Sequence, residues 1–167
     1  MKNSPSAETP KKNAAVRNPG ADVSRFSVTE SHAYYIYSLQ SLSYGALAEA
    51  LRVHDLTPPA WRVLANLQED DGVGVRDLAQ QTTVDVSNLS KLVSAMTDRG
   101  YLRKKRSTAD ARVTLVYITA AGRRKFQTAL PATRGVLNNN LAGFSDLESS
   151  QFLSYLRRMM ANAKPTA

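Results

Sequence analysis

Residues 76–125 constrain the fold more tightly than any other part of this chain. Arg76 to Gln81, carrying Leu78 and Ala79, reads as a brief helix, and Thr82 to Asp85 as a turn in which Thr83 or Asp85 serves as a cap. From Asp85 to Arg99, the residues Val86, Leu89, Leu92, Val93 and Met96 recur at the spacing of one inward helical face. Ser87, Asn88, Ser90, Lys91 and Ser94 then share the opposite face, and Gly100 supplies the stop. Two β-runs follow, Tyr101–Arg106 and Arg112–Ile118, the second with Val113, Leu115 and Tyr117 alternating with Thr114 and Val116. Ser107-Thr108-Ala109-Asp110 between them is turn chemistry. The pattern predicts a helix, a turn, a second helix and a β-hairpin wing.

The same segment concentrates charge. It holds eleven Lys or Arg against four Asp, a net +7 of the formal +8 carried by the whole chain. Basicity spread evenly would suit RNA, acidic membrane or an acidic protein equally well. Positive charge gathered on a helix-turn-helix and a β-turn is what binding a DNA duplex requires. The preceding residues 26–75 are acidic, with two basic groups against six acidic ones.

Helical patterns surround this block. Ser31 to Arg52 carries Ile36, Leu39, Leu42, Leu47 and Leu51 together with Tyr34, Tyr35, Tyr37 and Tyr44. That load is too wide for one buried stripe, and a dimer would supply a second buried face. Thr57-Pro58-Pro59 opens the next helix, which carries Trp61, Leu64, Ala65 and Leu67 and stops before Asp70-Asp71-Gly72. Val73-Gly74-Val75 fits a short strand beside the wing. Thr119 to about Leu141 is a long helix that Pro131 is expected to interrupt and kink. Ser145-Asp146-Leu147-Glu148 is a capping-box pattern, and Phe152, Leu153, Leu156, Met159 and Met160 form the apolar face of the helix it starts. Residues 1–22 have only Val16 as a sizeable apolar side chain and read as a disordered basic tail. Its lysines leave two readings open, a solvated terminus or weak phosphate contacts.

Several classes of function are disfavoured by what the chain lacks. At 167 residues it can form one domain with a real core. Cysteine is absent, so no disulfide or thiol nucleophile is possible. His32 and His54 lie far apart with no zinc-type ligand spacing, and neither a metal nor a cofactor is expected. His54-Asp55 is the only pair that tempts an enzymatic reading, and adjacent residues rarely face one substrate. No apolar run approaches the roughly 20 residues that span a bilayer, and no apolar signal region follows Lys2. A cytoplasmic, non-enzymatic protein without membrane contact is expected.

With those residues in place, the chain resembles the MarR family of winged helix-turn-helix regulators. The likeness runs from about Ser31 to Met160. It is carried by Leu56-Thr57-Pro58, Asp77-Leu78-Ala79, Leu92-Val93, Asp98-Arg99-Gly100-Tyr101-Leu102, Asp110-Ala111-Arg112, Leu115 and Ile118-Thr119-Ala120-Ala121-Gly122. Each piece is weak, and their order and spacing are specific. Ile118 stands where the family has leucine, and the absence of cysteine argues against the family's thiol-oxidation sensors. The resemblance implies a mainly α fold with a small β-hairpin wing. It divides the single domain 23–167 into a winged helix-turn-helix over 57–118 and dimerisation helices over 31–52 and 119–163. It implies a homodimer on a near-palindromic DNA operator, usually a repressor released by a small, often aromatic, ligand such as an aromatic acid or its thioester.

Candidate site residues follow. Ser87, Asn88, Ser90, Lys91 and Ser94 face the major groove in this reading, where Asn pairs with adenine and Lys reaches guanine or phosphate, or they form only a solvated face. Arg103, Lys104, Lys105 and Arg106 climb the first wing strand, with Arg103 and Lys105 on one face and Lys104 and Arg106 on the other. Arg112 is the candidate for minor-groove insertion or phosphate contact, with Asp110 orienting it, or the two form only a turn-stabilising ion pair. For the ligand, family geometry implies His32, Tyr35, Leu39, Trp61 and Arg62, because aromatic walls with one cation suit an aromatic carboxylate; Trp61 and Tyr35 also read as ordinary core and interface aromatics. The alternative function is an architectural DNA-binding protein without an effector.

Overall fold

The structure, a computed structural model, describes residues 27–163. The tail expected over 1–22 lies outside the described residues. Residues up to Tyr37 and those from Ser38 onward form two compact units, each taken by itself below.

The described part of the first unit is the start of helix α1 (His32–Arg52) and the turn before it. The Ser31 hydroxyl accepts from the Tyr34 amide at 3.2 Å and donates to the Val28 carbonyl at 2.7 Å, capping the helix one residue later than the sequence pattern placed it. Tyr34 and Tyr35 meet edge to face at 5.6 Å.

In the second unit, the rest of α1 is followed by α2 (Pro58–Glu69), β1 (Val73–Gly74), α3 (Val75–Thr82), α4 (Val86–Asp98), β2 (Leu102–Arg106), β3 (Thr114–Ile118), α5 (Ala120–Asn139) and α6 (Asp146–Asn162). Local chemistry sets the boundaries. The Thr57 hydroxyl accepts from the Ala60 amide and two prolines fill the first turn of α2, where a missing N–H leaves no bond unmade. Gly100, at φ 75°, takes the chain out of α4 in a conformation that costs a glycine little. Thr119 caps α5 by accepting from the Gly122 amide. Ser145 and Glu148 exchange the two bonds of a capping box.

The core forms where α2, α3, α4 and the sheet converge. Leu51, Val63, Leu64, Leu67, Leu78, Leu89, Val93, Leu102 and Val116 are fully or almost fully buried there. Burial of a leucine on this scale stabilises by about 2 kcal/mol. The three strands lie in the order β1-β3-β2, all antiparallel, with Val73 opposite Val116 and Leu102 opposite Ile118. Val116 and Ile118 face the core, so Leu102 and Lys104, their cross-strand partners, share that face.

Three sequence expectations need correction. Val86 does not belong to the inward face of α4 and is 44 % exposed, because it sits in the first turn, beyond the reach of the elements that cover Leu89, Val93 and Met96. Pro131 does not interrupt α5, which runs unbroken from Ala120 to Asn139. Pro131 and Gln127 are both exposed, so the bond the proline cannot make falls on the outer side of the helix. The wing strands are also shorter than the β-runs: Tyr101, Arg112 and Val113 belong to the connections, and Val75 begins α3.

Candidate nucleic-acid interface

The N-terminal half of α4 presents the polar face expected of it. Asp85 caps the helix, its carboxylate accepting from the Ser87 and Asn88 amides at 2.8 and 3.2 Å and from the Ser87 hydroxyl at 2.7 Å. The Ser87 hydroxyl and then those two amides hold the Asp85 carboxyl below the ordinary range. Ser87, Asn88, Ser90 and Lys91 are exposed. Ser90 and Ser94 donate back to the Val86 and Ser90 carbonyls at 2.8 and 3.0 Å, which turns their lone pairs outward. Ser94 is half-buried, and its hydroxyl accepts from Lys104 Nζ at 3.1 Å. One wing cation is therefore bound to the helix it flanks.

The remaining wing cations divide by strand alternation. The Arg103 guanidinium lies 4.2 Å from the centre of the Tyr117 ring, its cross-strand neighbour. Lys105 and Arg106 are exposed. At the tip, the Ser107 hydroxyl accepts from the Ala109 and Asp110 amides at 3.2 and 3.3 Å, and the Asp110 carboxylate accepts from the Arg112 amide at 2.9 Å. Asp110 also lies 3.5 Å from Arg112 Nε, while the Arg112 side chain stays 94 % exposed. The turn orients the guanidinium without consuming it.

Between the wing tip and the helices lies a cleft of about 770 Å³ lined in part by Ser90, Asp110, Arg112 and Thr114. It also takes in Arg76 from the first turn of α3, an exposed cation that site-by-site reading of the sequence missed. Its signal was present, as the first basic residue of the charged segment, but no motif pointed it toward the wing.

Behind this surface the supports are polar. Arg62 Nη1 donates to the Thr82 carbonyl and to the Thr83 hydroxyl, both at 3.1 Å. Asp71 accepts from the Gly72 and Ile118 amides with one oxygen and from Arg123 Nη2 with the other. Arg99 pairs with Asp55 beside a second cleft of about 250 Å³ floored by Leu56, Ala60 and Met96.

Of the ligand candidates, His32 and Tyr35 are exposed in the first unit, and Leu39 is 43 % exposed in the second. Trp61 is half-buried and stacks on Phe126 of α5 at 6.0 Å. Its buried indole Nε1 has no hydrogen-bond partner among the described residues. Arg62, adjacent in sequence, is turned to the α3–α4 connection. Among the described residues, no group of three or more His, Cys, Asp or Glu could hold a metal ion, and no helix is long and apolar enough to cross a membrane.

Known proteins share this arrangement. The sequence profile described as MarR family matches residues 54–113. The Escherichia coli transcriptional regulator HosA is 27 % identical over 106 residues, 64 % of this chain and 78 % of that protein. A MarR-family transcriptional regulator from Silicibacter pomeroyi superposes with a TM-score of 0.74 at 25 % identity, covering 80 % of this chain and 90 % of the other. CouR from Rhodococcus jostii RHA1, bound to p-coumaroyl-CoA, superposes with a TM-score of 0.74 at 20 % identity, covering 84 % and 99 %. Residues 54–113 thus match the MarR family, and the chain shares the winged helix-turn-helix fold of MarR-family transcriptional regulators.

Proposed function

We propose that the protein is a homodimeric repressor that reads a near-palindromic operator and leaves it when a small aromatic acid, or its thioester, binds. The observation that carries the DNA half is the pairing of the exposed Ser87–Lys91 face with a nearly free Arg112 across one cleft. Short polar side chains let the helix backbone approach base edges, and a guanidinium on an exposed tip reaches phosphate or minor groove. The Lys104–Ser94 bond supports the same reading, because it sets the distance between the two elements before DNA arrives.

The dimer reading is supported by α6, which buries none of its residues within the chain. Leu147, Leu153, Tyr155 and Met160 are each about half exposed or more, and Leu137, Leu141 and Phe144 add to that apolar surface. Water is a poor partner for so many apolar side chains, and a second copy offers the same surface in return. Two winged units then meet successive major grooves and cover promoter DNA that polymerase needs, which favours repression as the output.

The effector reading is supported by Trp61. A buried indole N–H without an acceptor is costly to keep, and a ligand carboxylate or carbonyl would satisfy it. Relatives of the fold take such molecules, as the p-coumaroyl-CoA bound to CouR illustrates. Trp61 is the lining residue this assignment uses. The experiment is footprinting of the purified protein on the DNA flanking its own gene, with and without aromatic acids and their CoA thioesters. A short protected site of two half-sites that clears on addition of one compound is expected. Broad coating of any duplex would favour an architectural role, and a site that no such compound clears would remove the effector assignment.

A further inference from the structure

The turn between α3 and α4 holds a residue whose side chain argues against its backbone. Thr83 sits at φ 53° and ψ 36°, in the left-handed region. There the Cβ of an L residue crowds its own backbone, and β-branched residues are true outliers. Only Thr83 and Val84 separate the last residue of α3 from Asp85, the cap of α4. The direction in which α4 leaves is therefore set largely by the backbone of this one threonine.

Its conformation is held from two sides: within the turn the Thr83 and Val84 amides donate to the Gln80 and Ala79 carbonyls at 3.3 and 3.1 Å, and a side chain from another helix braces it from outside. Arg62, on α2, donates through one guanidinium nitrogen to the Thr82 carbonyl and the Thr83 hydroxyl, both at 3.1 Å. The Thr83 hydroxyl in turn donates to the Thr82 carbonyl at 2.7 Å, so the three groups close on one another. The cation also lies at the C-terminal end of α3, where the last carbonyls carry partial negative charge. Thr82 provides the fixed point: it is fully buried and its hydroxyl donates to the Leu78 carbonyl at 2.6 Å. The cap of α4 cannot do this work, because the bonds of the Asp85 carboxylate run to Ser87 and Asn88, within α4 itself.

We propose that Arg62 is a positioning residue for operator reading: by fixing Thr83 in its left-handed conformation it sets the angle at which α4 is offered to the major groove. The inference rests on α4 being the DNA-reading helix. Arg62 itself touches no DNA in this scheme, so it acts on specificity and leaves the general attraction to phosphate alone.

The test compares the full-length wild type with Arg62→Ala, Arg62→Lys and Arg62→Ala/Thr83→Asn. Each is titrated at one salt concentration against a duplex that the wild type selects from random-sequence DNA, and against a scrambled duplex of equal length. Tilting a recognition helix away from one base contact costs about ten- to a hundredfold in affinity. Arg62→Ala should lose that factor on the selected duplex and keep its affinity for the scrambled one. Arg62→Lys, which still presents a cation with several donors, should recover part of the loss. Adding Thr83→Asn should recover most of it, because asparagine enters the left-handed region far more readily than threonine. Equal losses on both duplexes, or a double variant no better than Arg62→Ala, would overturn the proposal. An Arg62→Ala protein that discriminates like the wild type would do the same. Should that variant melt below the assay temperature, Arg62→Lys is compared with Arg62→Lys/Thr83→Asn instead: recovery on the selected duplex supports the proposal, and no recovery overturns it. A wild type that selects no duplex at all sinks the DNA-reading assignment instead.

Discussion

Arg123, in the first turn of α5, donates to Asp71 at 2.9 Å across the base of the wing, while the other oxygen of Asp71 accepts the Ile118 amide at the end of β3. One carboxylate thus joins the α2–β1 connection, the returning wing strand and the following helix. Replacement by alanine leaves the Ile118 amide without its acceptor and Arg123 with only its bond to Gln68. A loss of about 1–3 kcal/mol is expected, the usual range for a stranded hydrogen-bonding group. Asp71→Asn keeps one acceptor and should lose less. Chemical denaturation of the purified variants checks both, and equal stability of Asp71→Ala and wild type would contradict it.

Arg112→Ala should weaken operator binding at least about tenfold while the fold stays intact, since its side chain touches little of the protein. If it meets phosphate, the slope of log affinity against log salt should fall by about one unit. If it enters the minor groove, the loss should depend on the base pairs under the wing. Gel shifts across a salt series separate the two, and unchanged affinity at moderate salt would remove Arg112 from the interface.

Gly122 has no room for a side chain. A Cβ there would lie 2.3 Å from the Tyr101 carbonyl oxygen, a backbone atom that cannot turn aside. Gly122→Ala must push α5 away from the base of the wing, at about 1–3 kcal/mol for overpacking of this kind. A lower melting temperature is expected, together with weaker DNA binding. Gly100→Ala, where nothing lies within 4 Å, should cost stability only through its positive φ.

Acid should loosen α4 at its N-terminus. The Asp85 carboxyl lies below its ordinary value in the folded protein, chiefly through the Ser87 hydroxyl. A depressed folded value means that the cap contributes above the ordinary carboxylate range, near pH 4, and that its contribution is lost as pH falls through the lower folded value. Asp85→Asn keeps a good cap without a titrating group. Amide exchange of the first turn of α4 should rise in acid for the wild type relative to Asp85→Asn. Parallel profiles would count against the assignment.

Charged substitutions on α6 test the dimer. Leu153→Arg with Met160→Arg should yield a folded monomer with operator affinity reduced by far more than the dimer's own salt dependence explains. Both side chains are substantially exposed within the chain, so its own core is not disturbed. Sedimentation equilibrium reads the mass directly. A double variant that still sediments as a dimer would place the interface elsewhere.

Much of the fold is legible in the sequence alone. Caps and stops are local, so Thr57, Gly100 and the Ser145–Glu148 box announce their helices through spacing, and Asp85 is one of two cap candidates for α4. The polar face of α4 and the alternation of the wing cations also need only periodicity. What stays hidden depends on partners distant in sequence. Nothing near Arg62 says that its guanidinium ends on a turn twenty residues later. Arg76 joins the cleft because α3 is aimed at the wing. Val86 fits the inward pattern by spacing, yet a helix face is buried only where another element covers it. Pro131 breaks a local rule at an exposed position on the outer side of its helix.

The join between wing and α5 has no slack. Ile118 ends β3, Thr119 is the cap, and Ala120 begins the helix. The Thr119 amide and hydroxyl reach back to the Tyr101 and Gly100 carbonyls at 3.0 and 2.7 Å, and so to the exit of α4. Reading head and long helix therefore turn as one piece. In the proposed dimer, an operator whose halves stand slightly too far apart cannot be met by stretching the protein at this joint; the duplex itself must bend or twist to fit, and sequences that deform easily between the half-sites gain an advantage although no side chain touches them.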